Sequence, residues 1–166
     1  MTDTAALRES FRRDKAALLA ELAGSGAQTR ALQRSLRRLA QLVDGLLVQL
    51  WRQTGFAPEL TLAAVGGFGR GELFPHSDVD VLVLLPDGTN PEQTPGLQQQ
   101  LERFIGTCWD CGLEIGSSVR TVSECLAESA KDITVQTSLL EARRITGSTA
   151  LFADFRAHYE IGRAHV

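Results

Sequence analysis

Two aspartates, Asp78 and Asp80, open the run Val79-Asp80-Val81-Leu82-Val83-Leu84-Leu85. Side chains alternate faces along a strand, so the pair points the same way, a single pleat apart. Everything after Asp80 in the run is apolar, which puts both carboxylates at the mouth of a buried strand. Two like charges so placed repel, and each raises the other's pKa unless a cation compensates. A pair of magnesium ions does so, and two ions about 4 Å apart are the usual device for in-line phosphoryl displacement. A second account of an isolated Asp-x-Asp has Asp78 capping the turn after Pro75-His76-Ser77 while Asp80 faces solvent.

The glycines upstream favour the first account. Gly66, Gly67, Gly69 and Gly71 crowd six positions between an apolar run and a short helix. Glycine permits positive φ and lets backbone N–H groups approach a ligand with no Cβ in the way. A Gly-rich turn at a helix start is a natural anion cradle, and Arg70 adds a fork of donors for triphosphate oxygens. The segment is neither a P-loop, lacking Gly-Lys-Ser/Thr, nor the dinucleotide G-x-G-x-x-G. A phosphate cradle followed about a dozen residues later by a carboxylate pair on the next strand is a more specific signal than either part. One part holds a triphosphate, and the other holds the metals that activate its α-phosphate.

Other reactive side chains carry weaker signals. Cys108-x-x-Cys111 has no second cysteine pair or histidine cluster nearby, and a structural zinc site needs about four ligands, so two small buried residues is the better account. His76 and His158 are lone histidines, and neither is assigned a metal.

These residues need elements to position them. Leu7, Phe11, Leu18, Leu19 and Leu22 predict an amphipathic helix over Thr4–Leu22, broken by Gly24-Ser25-Gly26. Leu32, Leu36, Leu39, Val43, Leu46 and Leu50 predict a second over Thr29–Trp51, and the pair is expected to form a hairpin with Arg34, Arg37 and Arg38 on a solvated face. Strands are expected at Leu60–Val65, Val79–Leu85 and Leu113–Val119, with a helix over Leu97–Cys111. Further helices are expected near Val122–Ala130, Ile133–Arg144 and Thr149–Tyr159. The pattern implies an α+β fold, a small mixed sheet covered by helices.

Composition sets outer limits. A chain of 166 residues with 43% hydrophobic and 22% charged residues suits one globular domain with a core. Residues 1–53 hold nine Lys/Arg against five Asp/Glu, whereas the remainder holds eight against fifteen. The part carrying the chemistry is therefore acidic, which counts against a long nucleic-acid partner. No apolar run approaches the roughly 20 residues that span a bilayer, and the first residues lack an apolar signal core. Three cysteines without an export signal fit a reduced, cytoplasmic protein.

The glycine loop followed by an aspartate pair resembles the signature of the DNA polymerase β-type nucleotidyltransferase superfamily. Gly66-Gly-Phe-Gly-Arg-Gly-Glu-Leu-Phe-Pro-His-Ser-Asp-Val-Asp80 more narrowly resembles the bifunctional uridylyltransferase/uridylyl-removing enzymes that modify the nitrogen-regulatory PII protein. Trp109-Asp-Cys-Gly-Leu-Glu-Ile-Gly116, Ser118-Val-Arg-Thr121 and Asp132 to Arg143 look like the same family, so the resemblance covers about residues 60–147. It implies transfer of UMP from UTP to a tyrosine of PII, with release of pyrophosphate. Asp78 and Asp80 would then be catalytic and hold magnesium, while Gly66, Gly67 and Arg70 hold the triphosphate. Ser77 would orient the Asp78 loop, and Glu72 would fix the glycine loop, or both are simply structural.

Two points depart from the family pattern. The superfamily often has a third carboxylate on a later strand; Glu114 is the nearest candidate here, and a solvent-facing glutamate is the competing account. The family usually carries histidine where this chain has Ser117, so whatever that histidine does is missing. Transfer of another nucleotide such as AMP, and a non-catalytic nucleotide-binding module, stand as alternatives; the presence of both aspartates argues against the second.

The expected organisation is a helical hairpin over residues 1–55, a nucleotidyltransferase domain over 56–147 and the start of a helical region over 148–159. The family's HD uridylyl-removing and ACT glutamine-sensing domains are not recognisable, so the chain is expected to be a fragment without those functions. Residues 160–166 back-translate to what looks like a sequencing adapter, and are expected to be a non-native tail.

Overall fold

The computed structural model describes residues 3–24 and 29–164, with side chains described as far as Tyr159. Two long helices come first, α1 (Thr4–Gly24) and α2 (Thr29–Thr54). Both were expected, and each extends two or three residues further; the expected break at Ser25 and Gly26 lies outside the described residues. Leu36, Leu39, Val43, Leu46, Leu47 and Leu50 are buried along one stripe of α2, as their three- and four-residue spacing dictates. Arg34 and Arg37 face solvent, and Arg38 donates to Glu21 across the two helices at 2.6 Å.

Among the described residues the sheet has four strands in the order β3-β2-β1-β4. β1 (Thr61–Ala64) runs antiparallel to β2 (Val79–Leu85), and β2 runs parallel to β3 (Ile115–Thr121). The fourth, β4 (Arg143–Gly147), lies antiparallel to β1 with a register shift between Leu62 and Ala63. This strand corrects the expectation of a helix running to Arg144: α6 covers only Ile133–Leu140. Gly147 adopts φ +97°, and a Cβ there would lie 2.3 Å from the Leu60 carbonyl oxygen, so the chain can close against β1 only with glycine at that position.

Helices cover both faces of the sheet, which is why β1 and β2 are apolar nearly throughout rather than alternating. Leu62, Ala64, Val81, Val83 and Leu85 pack with α1, α2 and α4 (Leu97–Asp110). On that side Trp51, Phe56 and Phe104 form an aromatic cluster, with Trp51 and Phe104 edge to face at 5.5 Å. Ala63, Val65, Leu82 and Leu84 pack on the other face with α5 (Val122–Lys131), α6 and α7 (Thr149–Ala164). Thr121 caps α5: its hydroxyl accepts from the Glu124 N–H while the Glu124 carboxylate accepts from the Thr121 N–H. Asp80 has the parity of Leu82 and Leu84, so its carboxylate emerges on the α5–α7 side, at the edge of that second core.

Candidate active site

The glycine loop leaves β1 through Val65, whose N–H donates to the Asp80 carbonyl at 3.1 Å and so ties the loop to β2. Gly66 then takes φ +60°, a left-handed conformation that other residues adopt only with strain, and opens one tight turn, α3 (Gly66–Gly69). Gly69 is needed for a different reason: a Cβ on it would fall 2.1 Å from the Glu141 carbonyl oxygen. The turn is thus pressed backbone to backbone against the corner that joins α6 to β4.

Arg143 fixes this turn from behind. Its Nη2 donates to the Phe68 carbonyl at 3.0 Å and its Nε to the Gly69 carbonyl at 3.4 Å. The same guanidinium lies 5.3 Å from the centre of the Phe68 ring and donates two bonds to the Asp44 carboxylate of α2. With the carbonyls bound at the rear, the turn presents its other side to the aspartates.

Asp78, Asp80, Gly67, Arg70 and Ser77 border one open cleft of about 480 Å³, so five of the six expected site residues share a single space. Gly66, the sixth, stands beside it: a Cβ there would be 3.6 Å from Asp80 Oδ2 and equally far from Ser138 Oγ. Ser77 is exposed, and its N–H donates to the Phe74 carbonyl at 3.1 Å, closing the turn that leads into Asp78. Glu72 lines the cleft as well. Glu114 is exposed and borders a neighbouring hollow with His76 and Ser77 rather than the cleft of the aspartates. Gly116 faces Asp80 across the parallel register, so the strand position opposite the aspartate carries no carboxylate.

The electrostatics are those of an acidic site. The Asp80 carboxyl is held above the ordinary carboxylate range, first by partial loss of water and then by the negative charge of Asp78. Among the described residues Arg70 is the one basic side chain bordering the cleft apart from His76, and its Nη1 donates to Glu141 Oε2 at 2.6 Å. That bond and the charge of Glu141 raise the already high pKa of Arg70. Two hard carboxylate oxygens in an open, wet cleft match magnesium, which is commonly bound by one or two carboxylates with substrate phosphates and water completing its shell. No cluster of three or more His, Cys, Asp or Glu arranged for a metal occurs among the described residues.

Cys108, Cys111 and Cys125 are buried free thiols. Burial pushes Cys108 and Cys125 up to about 12, far from the reactive thiolate range. His158 is bonded within its own helix, its Nδ1 3.1 Å from Asp154 Oδ1, remote from the aspartates in sequence.

Arg143, Asp44, Glu141 and Ser138 were not singled out from the sequence as site residues. The first three are charged residues in otherwise ordinary helix and strand contexts, and only their partners across the fold give them meaning.

The nucleotidyltransferase domain family matches residues 48–134, and the chain belongs to that family. Among its curated relatives, a bifunctional uridylyltransferase/uridylyl-removing enzyme of Burkholderia lata is 58% identical over 124 residues, covering 75% of this chain and 14% of the relative. A bifunctional uridylyltransferase/uridylyl-removing enzyme of Burkholderia mallei is 53% identical over 152 residues, covering 92% of this chain and 17% of the relative. The chain is thus a transferase domain of the kind those enzymes carry, and it spans less than a fifth of their length. Among solved structures, a crystal structure of a toxin-antitoxin with AMP-PNP is similar at TM-score 0.43 and 17% identity, covering 74% of this chain and 87% of that one. No helix among the described residues is long and apolar enough to cross a membrane.

Proposed function

We propose that this domain transfers UMP from UTP to a tyrosine hydroxyl of a PII-type signalling protein in the cytoplasm. The observation that carries the proposal is the sharing of one cleft by Asp78, Asp80, Gly67 and Arg70. Identity of 53–58% to uridylyltransferases supports UTP as donor, and the resemblance of the Gly66–Asp80 segment to the enzymes that modify PII supports PII as acceptor. Gly66 and Gly67 would bind the triphosphate through backbone N–H groups, and Arg70 through its guanidinium fork. Asp78 and Asp80 would hold magnesium, which when bound supplies electrostatic stabilisation of the charge spread over the transferring phosphoryl group. Ser77 would keep the Asp78 turn in register.

The tyrosine oxygen forms a bond to the α-phosphorus as the bond from that phosphorus to the bridging oxygen breaks. Pyrophosphate leaves with the electron pair, and the phenol proton passes to water. Positioning and charge are all that such a displacement asks of the protein.

The test uses α-labelled UTP, magnesium and a PII protein. Label should pass to PII with the unaltered chain, and both Asp78→Asn and Asp80→Asn should abolish transfer while keeping the thermal unfolding midpoint. Retained transfer in the two variants would refute the assignment of the aspartates. Equal labelling from ATP would refute the choice of uridine.

A further inference from the structure

A second cleft of about 480 Å³ begins on the other side of Asp80. Its walls are the β3 residues Ser117 and Ser118, Arg120 further along, and Thr134 and Ser138 of α6. Val65, Leu82 and Leu139 are buried along it and give it an apolar floor. Nothing in the reaction as described so far uses this space.

We propose that this cleft is the acceptor site and receives the phenol side chain of the tyrosine that is modified. The inference rests on the nucleotidyltransfer reading above and adds to it where the second substrate lies. In-line displacement places the attacking oxygen opposite the leaving group. With the triphosphate against Gly67 and Arg70, the pyrophosphate departs on that side of Asp80, and the acceptor approaches from the other. Asp80 borders both clefts, so an oxygen entering from the second meets the α-phosphate at the carboxylate itself.

Glycine at position 116 keeps that passage open. A Cβ on Gly116 would lie 2.7 Å from Asp80 Oδ1, so any side chain there would push the carboxylate aside. Gly66 separates Asp80 from Ser138 with room for no more than ordinary contact, a Cβ being 3.6 Å from each. The lining chemistry also selects among ligands. Hydroxyls above an apolar floor suit a phenol, which has an apolar body and one polar tip. With one arginine, and Asp132 also on its rim, the cleft is poorly suited to a polyphosphate. No aromatic side chain among the described residues lines it, so a uracil ring would find no stacking partner among them.

Two measurements test this on the whole chain. The first maps amide shifts of the isotope-labelled protein with N-acetyltyrosinamide and, separately, with UTP and magnesium. Tyrosinamide should move Ser117, Ser118 and Thr134, whereas UTP should move Gly67 and Arg70. Shifts of Ser117, Ser118 and Thr134 by UTP and not by tyrosinamide would make this the nucleoside site and overturn the proposal, as would tyrosinamide leaving the cleft unmoved. The second measurement fills the cleft from two different elements, with Ser118→Phe and Thr134→Trp. Transfer to PII should fall by at least about tenfold in each folded variant while the Kd for UTP stays within about twofold. Unchanged transfer, or a matching loss of UTP affinity, would overturn the proposal. If the unaltered chain binds UTP but never labels PII, the uridylyltransfer reading fails, and the tyrosinamide shifts still decide what the cleft receives.

Discussion

Arg143 and Asp44 stand 99 residues apart in sequence and are joined by two hydrogen bonds, 2.6 Å from Nη1 to Oδ2 and 3.2 Å from Nη2 to Oδ1. The first residue of β4 is thereby held to the middle of α2. Because the same guanidinium also binds the Phe68 and Gly69 carbonyls, the helical hairpin reaches the glycine loop through one side chain. Both partners are about 30% exposed, which makes the pair stronger than a surface ion pair and spares it the full cost of burying charge.

Arg143→Lys keeps the charge and loses the planar fork. It cannot hold Asp44 and the two carbonyls together. The expected result is a loss of about 1.5–3 kcal/mol in stability, the range for hydrogen bonds to charged groups, and a raised KM for UTP as the glycine loop loosens. Urea unfolding and steady-state kinetics measure the two effects. Asp44→Asn should share the kinetic defect in milder form, since it retains one acceptor oxygen.

Gly69 and Gly71 separate two uses of glycine in one loop. At Gly69 an added Cβ would strike the Glu141 carbonyl at 2.1 Å, and backbone must move to accept it. Gly69→Ala should therefore cost about 3 kcal/mol or more and abolish transfer. At Gly71 an added Cβ meets nothing within 4 Å, and only the φ of +78° opposes it. Gly71→Ala should cost about 1–2 kcal/mol and leave transfer measurable. Equal damage from both substitutions would show that the contact with Glu141 is unimportant.

The contrast between β2 and β4 explains what the sequence made legible. Val79–Leu85 is buried on both faces, so its apolar run and the aspartate before it could be read directly, and the strand appears over the same residues. Arg143–Gly147 is a polar strand at the sheet edge with no fully buried residue, and the two arginines that open it suit a helix as well as a strand. Its strand state comes from pairing with β1, a contact between residues about 80 apart. The candidate site divides in the same way. Glycines and aspartates close in sequence announced one cleft, whereas Asp44 and Glu141 bear on it only through Arg143 and Arg70, partners that tertiary packing brings to them.

Asp87 supplies a pH dependence. Its carboxylate accepts from the Ser123 N–H at 2.9 Å and from the Ser123 hydroxyl at 2.7 Å, joining the end of β2 to the first turn of α5. These bonds, the backbone one foremost, hold its pKa below the ordinary value of 3.8. A carboxyl depressed in the folded state stabilises fully above its unfolded pKa, and that contribution disappears as pH falls through the folded value. Stability should therefore decline below about pH 4, and the decline should be shallower in Asp87→Asn. Urea midpoints measured between about pH 6 and pH 2.5 would test this, with parallel profiles for the two proteins counting against it.

Glu141 is a rival for the guanidinium that the triphosphate is proposed to use. Its carboxylate takes the Arg70 Nη1 donor at 2.6 Å, in a pair whose arginine is 55% exposed. A triphosphate binding at Gly67 must draw Arg70 away, so part of its attraction is spent on breaking the pair. Exposed pairs are worth about 0.2–1 kcal/mol, which sets the size of the effect. Glu141→Gln should lower KM for UTP about two- to fivefold with little change in kcat, because Arg70 is freed in the unbound state and bound states are unaffected. The Glu141 carbonyl that meets Gly69 belongs to the backbone and survives the substitution. A raised KM would mean that Glu141 orients Arg70 for the nucleotide rather than competing with it. Arg70→Ala completes the cycle: if competition is the mechanism, adding Glu141→Gln to it should produce no further gain.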